Sequence, residues 1–160
     1  MNQAHLHLLL NHIPIVGILI GTLICVVTFF FKDHSIRRIA LGIFIFSAAV
    51  AIPAYLTGEG AGEVVEDLPG IIGSSIETHE DIALIFIWLI SALGITALIA
   101  LVTDIVKKNY AAKFIYVATL VLSLVVLVKA YQLGNSGGEI RHNEIRTGAQ
   151  SNFIEEVDSD

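Results

Sequence analysis

The sequence predicts an all-α integral membrane protein, a four-helix up-and-down bundle, on three observations. The 160-residue chain is 55% hydrophobic, with a mean hydropathy of +0.78 and only 15% charged residues. Soluble domains carry about 25% charged residues. Four apolar runs, 13–31, 39–56, 82–102 and 111–128, interrupt an otherwise polar pattern. At about 1.5 Å per helical residue each can cross a hydrocarbon core about 30 Å thick. Backbone groups in lipid must be satisfied within the segment, so the runs are helices. Short connections then make successive helices antiparallel neighbours.

The first span, with its polar-tipped start, is expected over 3–31. Residues 1–10 hold no Lys or Arg, and Cys25 follows Ile24 rather than a small residue. Neither a secretory signal nor a lipoprotein cut fits, so this span is read as retained. The second span covers 39–56, the third 82–104 and the fourth 111–132. Residues 1–133 form one transmembrane domain with a long loop over 57–81, and 134–160 form a tail on the same side as that loop. Cys25, alone in an apolar run, offers neither an internal disulfide nor a CxxC metal pair.

Orientation follows the Lys/Arg bias of the short loops. Lys32, Arg37 and Arg38 lie in the first connection and Lys107, Lys108 and Lys113 in the third, while the opposite side keeps Lys129, Arg141 and Arg146. Both termini are therefore expected on the periplasmic side of a bacterial inner membrane. Most acids, among them Glu59, Glu63, Glu66, Asp67, Glu77, Glu80 and Asp81, then fall outside as well. The net charge of −6 divides into an acidic outer face and a basic inner one. The lipid bilayer is the expected partner, and the acidic outer face argues against nucleic acid. An ordinary solvated surface would look equally acidic, so charge alone marks no site.

The histidines are the candidate chemistry. His5, His7, His12, His79 and His142 fall on the outer side, and His34 is expected in a solvated inner loop. His5 and His12, seven residues apart, share a helix face, with His12 near the edge of the hydrocarbon. His7 points elsewhere, toward the face of Asn11, and is read as outside the site. His79 precedes the third span in "ETHEDIA". A plain helix start, with Thr78 as cap and Glu80 and Asp81 on the positive dipole end, accounts for it equally well. His142 lies beyond "GNSGG", whose glycines would let the tail fold back over the bundle mouth. Pro14 and Pro53 are expected to kink their helices near the same end and make room for a ligand. Gly17 and Gly21 in "GILIG" form a small-xxx-small pattern suited to close helix packing. Within "TGEGAGEVVEDLPG", "EVVED" suggests a short surface helix, and Glu59 and Glu63 would share a face.

Imidazole is the commonest side-chain metal ligand, and bundles build cofactor sites from facing helices. One set, His12, His79, Glu59 and Glu80, would suit copper, iron or zinc. The other, His5, His12, His79 and His142, is purely imidazole. The chain has no HExxH, P-loop or CxxCH pattern, and the Glu-x-x-His that a ferritin-like site needs on two helices occurs once, so metalloprotease, phosphoryl-transfer and covalent c-type haem chemistry find no support.

The order "HLHLLLNHIPIVG", "TGEGAGEVVEDLPG", "THE" and "GGEIRH" resembles an uncharacterised family of small four-span bacterial membrane proteins of Bacteroidetes type. More distantly it is similar to a broader four-helix transmembrane domain of unknown function with outer-face histidines. The resemblance covers nearly the whole chain. It implies a four-span fold and a histidine-bearing outer face, and it points at His5, His12, His79, Glu80 and His142, with Glu59 beside them. The function expected is that of a b-type cytochrome-like protein. Haem b is held near the outer face by imidazoles, with His12 and His79 as the leading pair. Electrons pass to or from a respiratory complex, quinone or periplasmic carrier. Two alternatives stand: a non-haem protein binding a transition metal ion, and a cofactor-free accessory subunit in a homo- or hetero-oligomeric membrane complex.

Overall fold

The computed structural model describes residues 2–31, 33–66, 68–106, 109–142 and 145–146, with the backbone alone described at 29, 109 and 111. Along the chain run α1 (Gln3–Leu10), α2 (His12–Phe31), α3 (His34–Leu56), α4 (Gly58–Glu66), α5 (Gly73–Ile105) and α6 (Asn109–Arg141), with no strand among the described residues. The protein is an all-α bundle. Its four segments Gln3–Thr28, His34–Leu56, Gly73–Ile105 and Ala112–Arg141 are long and apolar enough to cross a membrane.

Around the bundle the long helices follow the order α2, α3, α5, α6, and α6 closes back on α2. Ile18, Phe44, Ile90, Leu93 and Val126 fill the core. Small side chains set the helix spacing. A Cβ on Gly21 would sit 2.6 Å from the Phe44 ring, and one on Gly94 would sit 2.5 Å from the Ala48 methyl. Close approach of this kind is what drives helix association where lipid is as apolar as leucine. Several buried hydroxyls bond back within their own helix, as where Ser47 Oγ donates to Ile43 O at 2.8 Å. Outward faces remain apolar: Leu23, Trp88, Ile95 and Val121 are all exposed. That pattern is the reverse of a soluble domain and fits a hydrocarbon solvent.

The first span is broken where Pro14 removes a donor. The Leu10 carbonyl has no N–H four residues on, and the chain passes from α1 to α2 through Asn11, whose N–H bonds His7 O at 2.9 Å. Pro53 falls in the last turn of α3 without dividing it. Three helices are longer than their apolar runs. α3 starts at His34 because Asp33 caps it, its Oδ1 accepting from Ser35 N–H at 2.7 Å and Ile36 N–H at 3.2 Å. The basic stretch expected as a loop is therefore the first two turns of a helix. α5 starts at Gly73, so Thr78 is internal and its hydroxyl bonds back to Ser74 O rather than capping. α6 continues through "GNSGG" to Arg141 instead of yielding a flexible tail. Each 33-residue helix, α5 and α6, spans about 50 Å, well beyond the hydrocarbon.

Between α4 and α5 the segment Leu68–Ile71 turns at Gly70, whose φ of 83° only glycine adopts cheaply. Pro69 before it and the Ile71 N–H to Leu68 O bond complete a type II pattern. α4 packs on α1, α3 and α5, lying over the end where α1 begins and α6 stops.

Candidate functional site

At that end two imidazoles come from separate parts of the chain. His7, in α1, has Nδ1 2.9 Å from the Ala54 carbonyl of α3. A carbonyl only accepts, so Nδ1 carries the proton. His79, in the second turn of α5, has Nδ1 2.9 Å from Ser136 Oγ of α6. The Ser136 hydroxyl spends its single proton on Leu133 O at 3.0 Å. With that proton on Leu133 O, Ser136 Oγ accepts from His79 Nδ1–H. In the neutral ring the remaining nitrogen, Nε2, then holds a lone pair on both residues. The two rings lie within electrostatic reach of one another.

Glycines explain how the rings fit. A Cβ on Gly137 would lie 3.2 Å from His79 Cε1, 3.5 Å from Nδ1 and 4.0 Å from Nε2. A Cβ on Gly58 would lie 3.6 Å from His7 Cε1 and 3.7 Å from Nδ1. Each helix backbone thus receives the Cε1 end of an imidazole ring. The helical cost of such glycines, about 1 kcal/mol each relative to alanine, is offset by this approach. Gly62 serves the same end of the bundle, since a Cβ there would come 3.2 Å from Glu80 Oε1. Asn11, one turn beyond His7 on the same helix face, has its Oδ1 buried with no hydrogen-bond partner. Such a group costs about 1–3 kcal/mol and marks a place where something other than stability is served.

Depth is consistent across the site. His79 sits three residues before the apolar run that starts at Ile82, and Ser136 four residues after Gln132. Both therefore lie about 5 Å along their helices beyond the apolar runs, at about 1.5 Å per residue.

The other expected residues are placed differently. His12 is exposed and borders a groove of about 430 Å³ between α2 and α3, with Ile13, Val16, Ile20 and Phe46. The imidazole in electrostatic reach of His79 is His7, while His12 lies on the groove between α2 and α3. The break at Asn11 is the physical reason, because it sets α1 against α3 and α4 while α2 keeps its own face. His5 is exposed, and its N–H caps onto Asn2 Oδ1 at 2.9 Å. His142 is exposed at the end of α6, its N–H bonding Gly138 O at 3.0 Å. Glu59 lies on the exposed side of α4, and Glu80 is exposed beside Gly62. The set His12, His79, Glu59 and Glu80 is not assembled. Among the described residues no three His, Cys, Asp or Glu converge to hold a metal ion.

A second polar cluster, at the opposite end, went unseen in the sequence. Asp104 of α5 accepts from Arg38 Nε at 2.7 Å and pairs with His34 Nδ1 at 2.8 Å, with Arg37 Nη1 3.6 Å away. The Arg37 guanidinium lies 4.7 Å over the Tyr116 ring. The Tyr116 hydroxyl bonds Thr28 and, at 3.0 Å, the Cys25 carbonyl. His34 is therefore a helix residue hydrogen-bonded to Asp104, not a loop residue. The available signals were Asp33 two residues before Ser35 as a helix cap, and one acid closing an apolar run on an otherwise basic side. No protein-family model matches the chain, and neither a curated protein nor a solved structure is similar to it at a significant level.

Proposed function

We propose that the chain is a membrane redox protein of b-type cytochrome character, in which His7 and His79 would hold a haem b. Its site lies at the end that the Lys/Arg bias assigns to the periplasmic side of a bacterial inner membrane. It exchanges electrons with a respiratory partner, a quinone or a periplasmic carrier. One observation carries the reading. Two imidazoles from different helices each set Nδ1 against a fixed partner, an arrangement that leaves Nε2 as the lone-pair nitrogen of a neutral ring. This is the tautomer and anchoring that ligating histidines need, since the second-shell bond fixes the ring and raises its basicity.

The chain's own residues supply orientation. Ala54 O and Ser136 Oγ hold the two rings, while Gly58 and Gly137 let those rings lie against helix backbone. A haem bound there would supply one-electron chemistry, tuned by its axial ligands and their hydrogen bonds. The test is an absorption spectrum of protein purified after haem-replete expression. A Soret band with bis-imidazole character is expected, lost in His7→Ala and in His79→Ala and kept in His12→Ala. A colourless protein carrying stoichiometric copper, iron or zinc would replace haem with a non-haem centre. A colourless, metal-free protein would remove both.

A further inference from the structure

The cluster around Asp104 sets two guanidinium groups, those of Arg37 and Arg38, against one carboxylate. By sequence, the stretches 32–38 and 104–113 hold six Lys and Arg residues against Asp33 and Asp104. Asp33 is committed to capping α3. Asp104, its side chain only 3% exposed, is shared by His34, Arg37 and Arg38. The donors it holds still face outward: the Arg38 side chain is 44% exposed and that of His34 64%. Their chain neighbours are apolar and exposed too, Ile39 beside Arg38 and Ile105 and Val106 after Asp104. A fixed cationic spot at a helix end, bordered by apolar surface on the lipid side, has the two-part chemistry of a phospholipid.

We infer that Arg38, held by Asp104, forms a binding site for the headgroup of an anionic phospholipid whose acyl chains lie along Ile39 and Ile105. Arg38 Nε is fixed from within by the carboxylate, which sets the guanidinium in place before a lipid arrives. Anionic headgroups are attracted by about 1 kcal/mol per basic residue at a membrane surface, a factor of about five for each. Asp104 acts here as a positioning residue, and the lipid phosphate is the counter-ion to the surplus.

The full-length chain carries a single tryptophan, Trp88, exposed near the middle of α5. This allows a local reading. In a Trp88→Phe background, Ile105→Trp places a reporter beside the site. Quenching is compared in vesicles of dibrominated phosphatidylglycerol and dibrominated phosphatidylcholine with identical chains. Phosphatidylglycerol should bind at least about fivefold better at residue 105. The same comparison at native Trp88 should show no preference. Arg38→Gln should cut the preference by about fivefold, Arg38→Lys should keep most of it, and 1 M salt should abolish it. The salt measurement needs no change at Arg38, so it stands if Arg38→Gln does not fold. Equal quenching by the two lipids at residue 105 would overturn the inference. So would an undiminished preference in folded Arg38→Gln. Loss of the preference on adding millimolar inorganic phosphate at constant ionic strength would also overturn it, assigning the site to a free anion.

Discussion

At one end of the bundle Asp104 gathers His34, Arg37 and Arg38, and Tyr116 ties the same region to Thr28 and Cys25. At the other end His7 and His79 each make one side-chain hydrogen bond and hold a ring nitrogen in reserve. Both ends place polar groups at the rim of an apolar body. The first commits several donors to a single carboxylate and links all four long helices. The second anchors each imidazole by the nitrogen that a ligand would not use. A buried charge with several partners is a structural commitment, because removing one member strands the rest. An imidazole anchored through one nitrogen is a group held ready.

That contrast can be broken by mutation. The largest effect is expected for Asp104→Ala, which leaves Arg37 and Arg38 without their shared counter-ion. A loss of about 3–5 kcal/mol should appear as a lowered thermal midpoint in detergent. A change smaller than about 1 kcal/mol would mean that the two ends do not differ in kind. His79→Ala comes next, costing about 1 kcal/mol of stability for one neutral hydrogen bond while removing any Soret absorption. If its stability loss matched that of Asp104→Ala, His79 would be a structural residue.

Gly137→Ala sharpens the comparison further. The added methyl improves helix propensity by up to about 1 kcal/mol. It also meets the His79 ring at 3.2 Å, so the ring must give way. Unchanged or higher stability with an altered haem spectrum is expected. An unaltered spectrum would show that the ring position does not matter. The smallest effect concerns Asp33→Ala at the start of α3. The Ile36 and Ser35 N–H groups hold the Asp33 carboxyl below the ordinary carboxylate range. Its stabilising contribution is therefore present above that range and is lost as pH falls through the depressed value. The variant should be slightly less stable at neutral pH and should converge with the parent in acid, as read from thermal midpoints across pH.

Much of the architecture was legible because a hydrocarbon solvent imposes so simple a pattern: an apolar run of about twenty residues can be little else. The helix ends were less legible. Gly137 and Ser136 look like tail residues until one sees that His79 packs against them, a contact across 57 positions of sequence. His79 itself could be singled out. His7 could not, since its partner is the Ala54 carbonyl, and a backbone acceptor carries no mark in the sequence. Asp104 was passed over because its partners lie some seventy positions away, on a stretch that reads as loop until the Asp33 cap is recognised.

The short helix α4 has no buried residue, and three of its nine positions are glycine. It lies across His7 and Glu80 with little apolar area to hold it. Elements so weakly anchored detach at a small fraction of the global unfolding free energy. Amide protons of 58–66 should therefore exchange with deuterium long before those of α5 or α6. The histidine end can be uncovered by releasing one crossbar while the membrane-embedded staves remain standing.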